Sequence, residues 1–329
     1  MNTFKVLLEA KPFGLFNNGP LQKLEKEGFC VIDMRSSGFD NPDFYKALRS
    51  SDAVVCGNDL KFTPTLLEES NNLKIISKIG AGCDNIDIAS ATKHDVLVCD
   101  TPGMNKQAVA DHTFALILSL ARKIVYCDRS IRDGLWEHAQ VLGLDIWEKT
   151  IGIVGLGSIG RCVAKRARGF NMNIVGYDNS WPSAFANEYA IERLDIQKLC
   201  EVSDFITIHL PLTNETRGLI KDTLFLCMKP TALIINTSRG SIINESDLYR
   251  ALQKKYIAGA GLDVFEHEPP QNSPLLKLNN VILSPHTSAF TSNSLYQMDM
   301  TAVSQIVKFY RGVKPPFSLN PEVFERSIL

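Results

Sequence analysis

Residues 148–160 read EKTIGIVGLGSIG and decide the fold, because an apolar run leads directly into the spacing Gly155-x-Gly157-x-x-Gly160. Residues 151–154 predict a strand, and RCVAKRARGF after the motif predicts a helix. A dinucleotide-binding turn has this order, since the helix N-terminus offers unpaired N–H groups to a pyrophosphate. The stretch therefore predicts a nucleotide-binding turn, and a tight turn without a ligand is the alternative.

Each glycine of the motif has its own steric role. Gly155 allows the turn, Gly157 lets phosphates approach the backbone, and Gly160 lets the helix pack against the sheet. The run NIVGYD predicts the next strand and ends on Asp178. A carboxylate at this position accepts hydrogen bonds from the adenosine ribose hydroxyls and repels a 2′-phosphate, so we expect NAD rather than NADP.

The composition is typical of a globular protein with two domains, at 329 residues, 45% hydrophobic and 22% charged. With 35 basic and 36 acidic residues the net charge is −1, so we expect neither nucleic acid nor a membrane surface as a partner. No apolar run approaches the ~18 residues of a membrane span, and the N-terminus lacks a signal-peptide pattern. The eight cysteines are dispersed without a CxxC pair, which predicts a cytoplasmic location.

Strand and helix patterns alternate along the chain, which predicts the α/β class with two doubly wound parallel sheets. In the first hundred residues we expect five strands, at 5–9, 30–33, 53–56, 74–77 and 96–99. Further along we expect six more, at 151–154, 174–177, 205–209, 233–236, 258–262 and 281–284. Six strands with intervening helices are the full count of a dinucleotide-binding fold.

Two long helices complete the predicted organisation. The helix predicted over 105–124 is apolar on more than one face, so more than one neighbour should bury it. Residues 132–149 are predicted to be an arm or loop before the nucleotide fold. A helix near 292–310 follows the last predicted strand, so we expect the chain to cross back and cover the first domain.

Arg239, Glu268 and His286 come after the last three predicted strands. Because ligands of open α/β sheets bind at the carboxyl ends of the strands, we expect these side chains in one crevice. The guanidinium can hold a carboxylate bidentately, and the imidazole can exchange a proton with a carbonyl oxygen. A neighbouring carboxylate orients the imidazole and favours its protonated form. The trio suits hydride transfer between a nicotinamide cofactor and a 2-oxo acid.

Each of the three has a structural alternative. Arg239 has the alternative of a solvated surface pair, Glu268 that of a solvated acidic loop, and His286 that of a packed or capping histidine. His267 lies between two glutamates, but consecutive positions do not share a face, so we expect no metal site. The remaining histidines are assigned structural roles: His94, His112, His138 and His209. A methyltransferase would use the same glycine turn but would not explain the trio.

The chain resembles the D-isomer-specific 2-hydroxyacid dehydrogenase family, and within it the phosphoglycerate-dehydrogenase-like group. The matching stretches are SKIGAGCDNID (77–87), NKQAVADHTFALIL (105–118), KTIGIVGLGSIG (149–160), HLPLTNETRGLI (209–220), INTSRGSIIN (235–244), AGAGLDVFEHEPP (258–270) and SPHTSA (284–289). The resemblance implies a Rossmann NAD-binding domain over 101–287, inserted into a flavodoxin-like substrate-binding domain made of 1–100 and 288–329. It also implies a homodimer joined through the cofactor domain, which would explain the apolar helix.

The resemblance also implies roles for single residues. Arg239 would bind the substrate carboxylate, His286 would be the general acid/base and Glu268 its paired acid. The backbone at Ala81 and Gly82 would complete the substrate site. The implied cofactor contacts are Gly155, Gly157, Ser158, Ile159 and Gly160 at the pyrophosphate turn, Asp178 at the ribose, Thr237 and Ser238 along the cofactor, and Asp263 near the nicotinamide.

Some positions depart from the family pattern. Ser158 stands where many relatives have a basic residue. After Cys56 the chain offers only Lys61 where some phosphoglycerate enzymes place arginines, and the sequence has no counterpart of their regulatory domain. A phosphoglycerate-dehydrogenase-like activity is the first hypothesis. The alternatives are reduction of glyoxylate, hydroxypyruvate or another small 2-oxo acid, and an NAD-sensing corepressor that works by binding partners.

Overall fold

The structure is a computed structural model, and it describes residues 3–138 and 141–327. It divides into two compact units, Met1–Asn105 with Phe290–Leu329, and Lys106–Ala289. Each unit contains one parallel sheet, so the predicted α/β class with two doubly wound sheets is confirmed. Residues 1–2, 139–140 and 328–329, which the predicted domains and arm include, lie outside the described residues. No helix in the described ranges is long and apolar enough to cross a membrane.

The first unit is built on a five-stranded sheet with the order β2-β1-β3-β4-β5. Its strands are β1 (Lys5–Leu8), β2 (Cys30–Asp33), β3 (Ala53–Cys56), β4 (Ile75–Lys78) and β5 (Leu97–Cys99). This is the flavodoxin-like order. The three strands from β3 to β5 are buried along their whole length, as expected where helices cover both faces of a parallel sheet.

The helices of the first unit connect these strands and include one from the end of the chain. They are Gly19–Lys26, Pro42–Arg49, Pro64–Glu69, Ile88–Lys93, Ser292–Tyr310 and Glu322–Ser327. The helix Ser292–Tyr310 begins at the Thr291 cap, whose hydroxyl accepts from the Ser294 N–H at 3.2 Å. Its Ala302 carbonyl accepts a hydrogen bond from the Ser77 hydroxyl of β4 at 3.0 Å. The late helix therefore packs directly on the sheet of the first unit.

The second unit contains a seven-stranded sheet with the order β12-β11-β10-β9-β6-β7-β8. Its strands are β6 (Thr150–Val154), β7 (Asn173–Tyr177), β8 (Glu192–Arg193), β9 (Phe205–Ile208), β10 (Leu233–Asn236), β11 (Gly259–Leu262) and β12 (Val281–Leu283). Counted from β8, this is the 3-2-1-4-5-6 dinucleotide-binding order with one further strand. The predicted count of six was wrong, because β8 consists of two exposed residues that carry no apolar pattern.

The helices of the second unit lie on both faces of this sheet. The α-helices are Lys106–Ala121, Ile124–Arg132, Ser158–Gly169, Ser183–Glu188, Ile196–Val202, Asp222–Phe225 and Glu245–Gln253, and short 3₁₀ turns span Gly240–Ile242 and Pro274–Lys277. Side chains of β9 alternate between two hydrophobic clusters, with Phe205 in one and Ile206 in the other. The sheet is therefore a middle layer between two apolar cores.

The single helix predicted over 105–124 is two helices in the structure. Lys123 has a φ of 53°, in the left-handed region, and separates Lys106–Ala121 from Ile124–Arg132. The Leu144 N–H donates to the Ala121 carbonyl at 2.7 Å, so a distant segment satisfies the end of the first helix. That helix packs against strands β10 and β11 and against the helix Ser158–Gly169, which accounts for its apolar faces.

Candidate active site

In the turn after β6, two glycines lie directly against other backbone atoms and the third borders open space. Gly155 has a φ of 102°, and a Cβ there would lie 2.7 Å from the His209 carbonyl carbon. A Cβ on Gly160 would lie 1.9 Å from the Gly155 oxygen, so neither position admits a side chain. At Gly157, by contrast, no neighbouring atom of the described chain lies within 4 Å of the Cβ position. The open space lies at the N-terminus of a twelve-residue helix, where N–H groups favour an anion.

Asp178 lies directly after β7, beside the glycine turn. Its Oδ2 accepts from the Leu156 N–H at 2.6 Å, and its Oδ1 accepts from the Ser180 N–H at 2.7 Å. An ionised carboxylate has about four acceptor sites, so both oxygens keep capacity for ribose hydroxyls. The open turn and the fixed carboxylate together fit an adenine dinucleotide.

Two further predicted cofactor residues, Ser158 and Ile159, form the first turn of the helix after Gly157. Ser158 is exposed and Ile159 is half-buried. Thr237 is buried, and its hydroxyl lies 3.1 Å from the Thr113 hydroxyl. Their contacts with a cofactor stay predictions.

His286 and Glu268 form a hydrogen-bonded pair. His286 Nδ1 lies 2.7 Å from Glu268 Oε2, and Glu268 Oε1 accepts from the Phe265 N–H at 3.1 Å. Because an ionised carboxylate only accepts hydrogen bonds, Nδ1 is the nitrogen that carries the proton. The other ring nitrogen, Nε2, is then the atom that can exchange a proton with a ligand.

Asp263 ties the loop of His286 to β11. The Asp263 side chain is fully buried, and its Oδ1 accepts from the Ser284 hydroxyl at 2.6 Å and from the Thr287 N–H at 2.9 Å. Its Oδ2 accepts from the Ser288 N–H at 2.8 Å, and its backbone carbonyl accepts from the His286 N–H at 2.8 Å. These bonds hold the backbone on both sides of His286, which has a φ of 52°. The predicted approach of Asp263 to the nicotinamide stays a prediction.

Arg239 follows β10 on a turn that Asn236 holds in shape. The buried Asn236 side chain donates to the Arg239 carbonyl at 2.9 Å and accepts from the Ser238 N–H at 3.0 Å. The Ser238 hydroxyl donates to the Leu210 carbonyl. Arg239 Nη1 donates to the Ser238 carbonyl at 2.9 Å. The half-buried guanidinium is therefore hydrogen-bonded to the same turn that Asn236 holds in shape.

Gly240 brings this turn against the loop that leads to Glu268. A Cβ on Gly240 would lie 1.9 Å from the Phe265 carbonyl carbon, so the two backbones are in direct contact. Strand β11 lies between β10 and β12, and the three strands are parallel. The carboxyl ends of three adjacent strands therefore carry Arg239, Glu268 and His286 on one edge of the sheet.

The predicted substrate residues Ala81 and Gly82 lie in the first unit, in the loop after β4. Gly80 and Gly82 have φ values of 101° and 91°, which other residues rarely adopt. The Gly80 N–H donates to the Thr101 hydroxyl at 2.7 Å. Both predicted residues are half-buried, and their part in substrate binding stays a prediction.

His112 is the residue at this site that the sequence does not indicate. Its Nε2 lies 2.9 Å from Ser284 Oγ and 3.6 Å from Asp263 Oδ1, whereas the sequence alone predicts only a structural role for it. The sequence feature that could have indicated a role for His112 at the site is its position on a helix that is otherwise mostly apolar. His209 does lie in a buried setting, and burial lowers its pKa to about 3. In the described ranges no group of three His, Cys, Asp or Glu side chains is placed to hold a metal.

Comparisons with known proteins identify a matching family model, similar sequences and similar solved structures. The family model described as D-isomer specific 2-hydroxyacid dehydrogenase, NAD binding domain, matches residues 114–288. The chain is 42% identical over 281 residues to the glyoxylate reductase of Korarchaeum cryptofilum, covering 84% of this chain and 85% of that one. It is 38% identical over 278 residues to the D-3-phosphoglycerate dehydrogenase of Methanocaldococcus jannaschii, covering 84% of this chain and 53% of that one. The crystal structure of a glyoxylate reductase from Paecilomyes thermophila is similar at a TM-score of 0.87 and 28% identity, covering 98% of this chain and 100% of that one.

Proposed function

This chain belongs to the D-isomer-specific 2-hydroxyacid dehydrogenase family and is an NAD-dependent enzyme, and on that premise we propose that Arg239, Glu268 and His286 interconvert a D-2-hydroxy acid and its 2-oxo acid. The observation that carries the proposal is the 2.7 Å contact of His286 Nδ1 with Glu268 Oε2 at the carboxyl edge of the sheet. That contact orients an acid/base group where ligands of such sheets bind.

The three side chains have separate tasks in the proposed reaction. The Arg239 guanidinium holds the substrate carboxylate and lies near the oxygen on which negative charge develops. His286 Nε2 donates a proton to the carbonyl oxygen during reduction and takes it back during oxidation. Glu268 stabilises the imidazolium form of His286, which is present before reduction and is formed again by oxidation. The nicotinamide cofactor, when bound, supplies or accepts the hydride.

For the cofactor we propose NAD in preference to NADP. The exposed N-terminus of the helix Ser158–Gly169 would take the pyrophosphate, and Asp178 would accept the ribose hydroxyls. A 2′-phosphate would lie against the Asp178 carboxylate, and Asn179 and Ser180 after it supply no positive charge. The negative charge of Asp178 therefore favours NAD over NADP.

For the substrate we infer a small unphosphorylated 2-oxo acid such as glyoxylate or hydroxypyruvate, held in part by the backbone of Ala81 and Gly82. The loop after β3 contains one basic residue, Lys61, at positions 57–61. Asp59 of that loop forms an ion pair with Lys11 at 3.2 Å. The loop therefore carries no excess positive charge that would favour a phosphate.

Lys78, a buried basic residue near the same loop, is balanced by acidic groups. Lys78 is 1% exposed, and its Nζ donates to Asn58 Oδ1 at 2.6 Å. Burial raises the pKa of the Glu9 and Asp100 carboxyls, and the Lys78 charge acts on both in the opposite direction. The buried Lys78 ammonium is therefore not an exposed positive charge for a phosphate. The likeness to D-3-phosphoglycerate dehydrogenases keeps 3-phosphohydroxypyruvate as the second candidate.

We also propose that the protein is a cytoplasmic homodimer. A group of large apolar side chains is exposed between residues 124 and 147, and a partner subunit that covered them would remove apolar surface from water. Its members are Ile124, Val125, Tyr126, Ile131, Leu135, Trp136, Leu142, Leu144 and Trp147. In the described part of the chain the cysteines are not joined by disulfides, which fits a reducing compartment. Light scattering should give twice the 36.6 kDa chain mass, and Trp136→Glu should yield a monomer.

NADH oxidation with a panel of 2-oxo acids tests the proposed function. The panel contains glyoxylate, hydroxypyruvate, pyruvate and 3-phosphohydroxypyruvate. We expect turnover with the small acids, and a loss of about 10²-fold or more in His286→Ala with NADH binding retained. Turnover with none of them would leave the corepressor-type alternative, and near-normal turnover in His286→Ala would exclude the assigned acid/base.

A further inference from the structure

His112 connects the loop of His286 to a helix that is distant in sequence. It belongs to the helix Lys106–Ala121 and contacts Ser284, which is 172 positions away. The Ser284 hydroxyl in turn contacts Asp263 Oδ1 at 2.6 Å. The side chains of His112, Ser284 and Asp263 therefore form one chain of hydrogen bonds next to the loop that carries His286.

The direction of each hydrogen bond follows from the acceptor at its end. Asp263 is a carboxylate that receives the Thr287 and Ser288 N–H groups, so its oxygens act as acceptors toward Ser284 as well. The single hydroxyl hydrogen of Ser284 therefore points to Asp263. Ser284 Oγ must then accept from His112 Nε2, at 2.9 Å, and this fixes the protonated nitrogen of His112.

The charge of Asp263 gives this arrangement a second function. Asp263 is 0% exposed, and burial of an uncompensated carboxylate is costly. Within the ranges that the structure describes, His112 is the basic side chain that comes within 4 Å of the Asp263 oxygens, at 3.6 Å. Through Ser284, the imidazole thus directs an N–H dipole toward a carboxylate that organises the 284–288 backbone.

The neighbouring residue on the helix contacts the other half of the site. The buried Thr113 hydroxyl donates to the Val109 carbonyl at 2.8 Å and lies 3.1 Å from the Thr237 hydroxyl. Thr237 stands on the turn that carries Arg239. Two consecutive positions of one helix therefore contact the two loops of the site.

We propose that His112 is a positioning residue for the reaction: through Ser284 and Asp263 it fixes the loop that carries His286. This inference rests on the proposed function of His286. It assigns to His112 no contact with substrate or cofactor. Because the helix Lys106–Ala121 is packed against β10 and β11, it gives the loop a rigid reference.

Steady-state kinetics of His112→Leu, His112→Gln and Ser284→Ala test the proposal. An acid/base displaced by a fraction of an ångström loses rate more than affinity, so we expect His112→Leu and Ser284→Ala to lower kcat about 10-fold to 100-fold. The KM for the oxo acid and the Kd for NADH should change little. His112→Gln keeps an N–H donor and should recover most of kcat. Asp111→Asn, on the exposed face one residue away, is the matched control and should behave as wild type.

The double variant His112→Leu/Ser284→Ala tests whether the two residues act as one unit. We expect its kcat to equal that of the less active single variant, because each change breaks the same chain of hydrogen bonds. Multiplied losses, a wild-type kcat in His112→Leu, or equal losses in the Leu and Gln variants would overturn the inference. If His112→Leu does not fold by circular dichroism, Ser284→Ala and His112→Gln give the decision.

Failure of the inference is distinguishable from failure of the proposed function. An active His286→Ala would remove the proposed function itself. An inactive His286→Ala together with a fully active His112→Leu would remove the positioning role of His112 alone.

Discussion

His286 Nδ1 lies 2.7 Å from Glu268 Oε2, although the two residues are 18 positions apart in the chain. A carboxylate beside an imidazole favours the charged ring, whereas a neutral amide does not. We therefore expect Glu268→Gln to lower kcat for 2-oxo acid reduction about 10-fold. Initial rates of NADH oxidation at saturating 2-oxo acid measure the loss.

The matched control for this change is Glu266→Gln. Glu266 is an exposed carboxylate on the same loop, and it accepts from the Glu245 N–H at 3.1 Å. Its neutralisation should leave kcat unchanged. If Glu268→Gln also kept the wild-type kcat, the pair with His286 would have no role in proton transfer.

Arg239→Lys should be costly although it keeps the positive charge. An ammonium cannot reproduce the two parallel N–H donors that a guanidinium offers to a carboxylate. Loss of one hydrogen bond between charged groups is worth about 1.5–3 kcal/mol, so we expect kcat/KM to fall about 10-fold to 150-fold. Arg217→Lys, an exposed arginine in the same unit, is the control. Equal kcat/KM in the two variants would show that Arg239 does not hold the substrate.

Gly157 and Gly160 should respond differently to a side chain. At Gly157 the Cβ position is open, so Gly157→Val should keep the melting temperature but raise the Kd for NADH about 10-fold or more, because the side chain would project toward the pyrophosphate. At Gly160 the Cβ would lie 1.9 Å from the Gly155 oxygen, so Gly160→Ala should unfold at lower temperature. NADH titration by fluorescence and thermal melts measure the two effects. Unaltered NADH affinity in Gly157→Val would place the cofactor elsewhere.

Asp178→Asn tests cofactor choice with a small structural change. The amide oxygen can still accept from the Leu156 N–H, which Asp178 Oδ2 does at 2.6 Å. The negative charge that repels a 2′-phosphate is removed, so the ratio of kcat/KM for NADPH to that for NADH should rise about 10-fold. Wild-type enzyme that used both cofactors equally well would contradict the assigned role of Asp178.

Most of the fold is readable from the sequence because its strands are buried parallel strands. Runs such as 53–56 and 205–208 are buried along their whole length and rich in apolar and β-branched residues, and flanking polar turns mark their ends. The strand β8 carries no such signal, because its two residues are exposed. Its pairing with β7 depends on the neighbouring strand and not on its own side chains.

The break in the apolar helix could not be predicted for a related reason. It depends on the Leu144 N–H, which reaches the Ala121 carbonyl from a separate segment. The bond between His112 and Ser284 likewise joins residues 172 positions apart. By contrast, the positions of Arg239, Glu268 and His286 at strand ends follow from strand order alone. The sequence indicates where a strand delivers a side chain, and only the folded chain gives the contacts behind it.

Asp299→Asn should stabilise the protein at alkaline pH. Burial raises the pKa of Asp299 to about 7, while its Oδ2 accepts from the Gly14 N–H at 2.9 Å. A carboxyl whose pKa is higher in the folded state than in the unfolded state favours folding at low pH, and this contribution is lost as pH rises through about 7. The amide keeps the acceptor and carries no charge, so the free energy of unfolding should rise by about 1 kcal/mol or more at pH well above 7 and change less near pH 5. Urea unfolding of both proteins at the two pH values measures the difference, and a gain of equal size at both would contradict an ionised, buried Asp299.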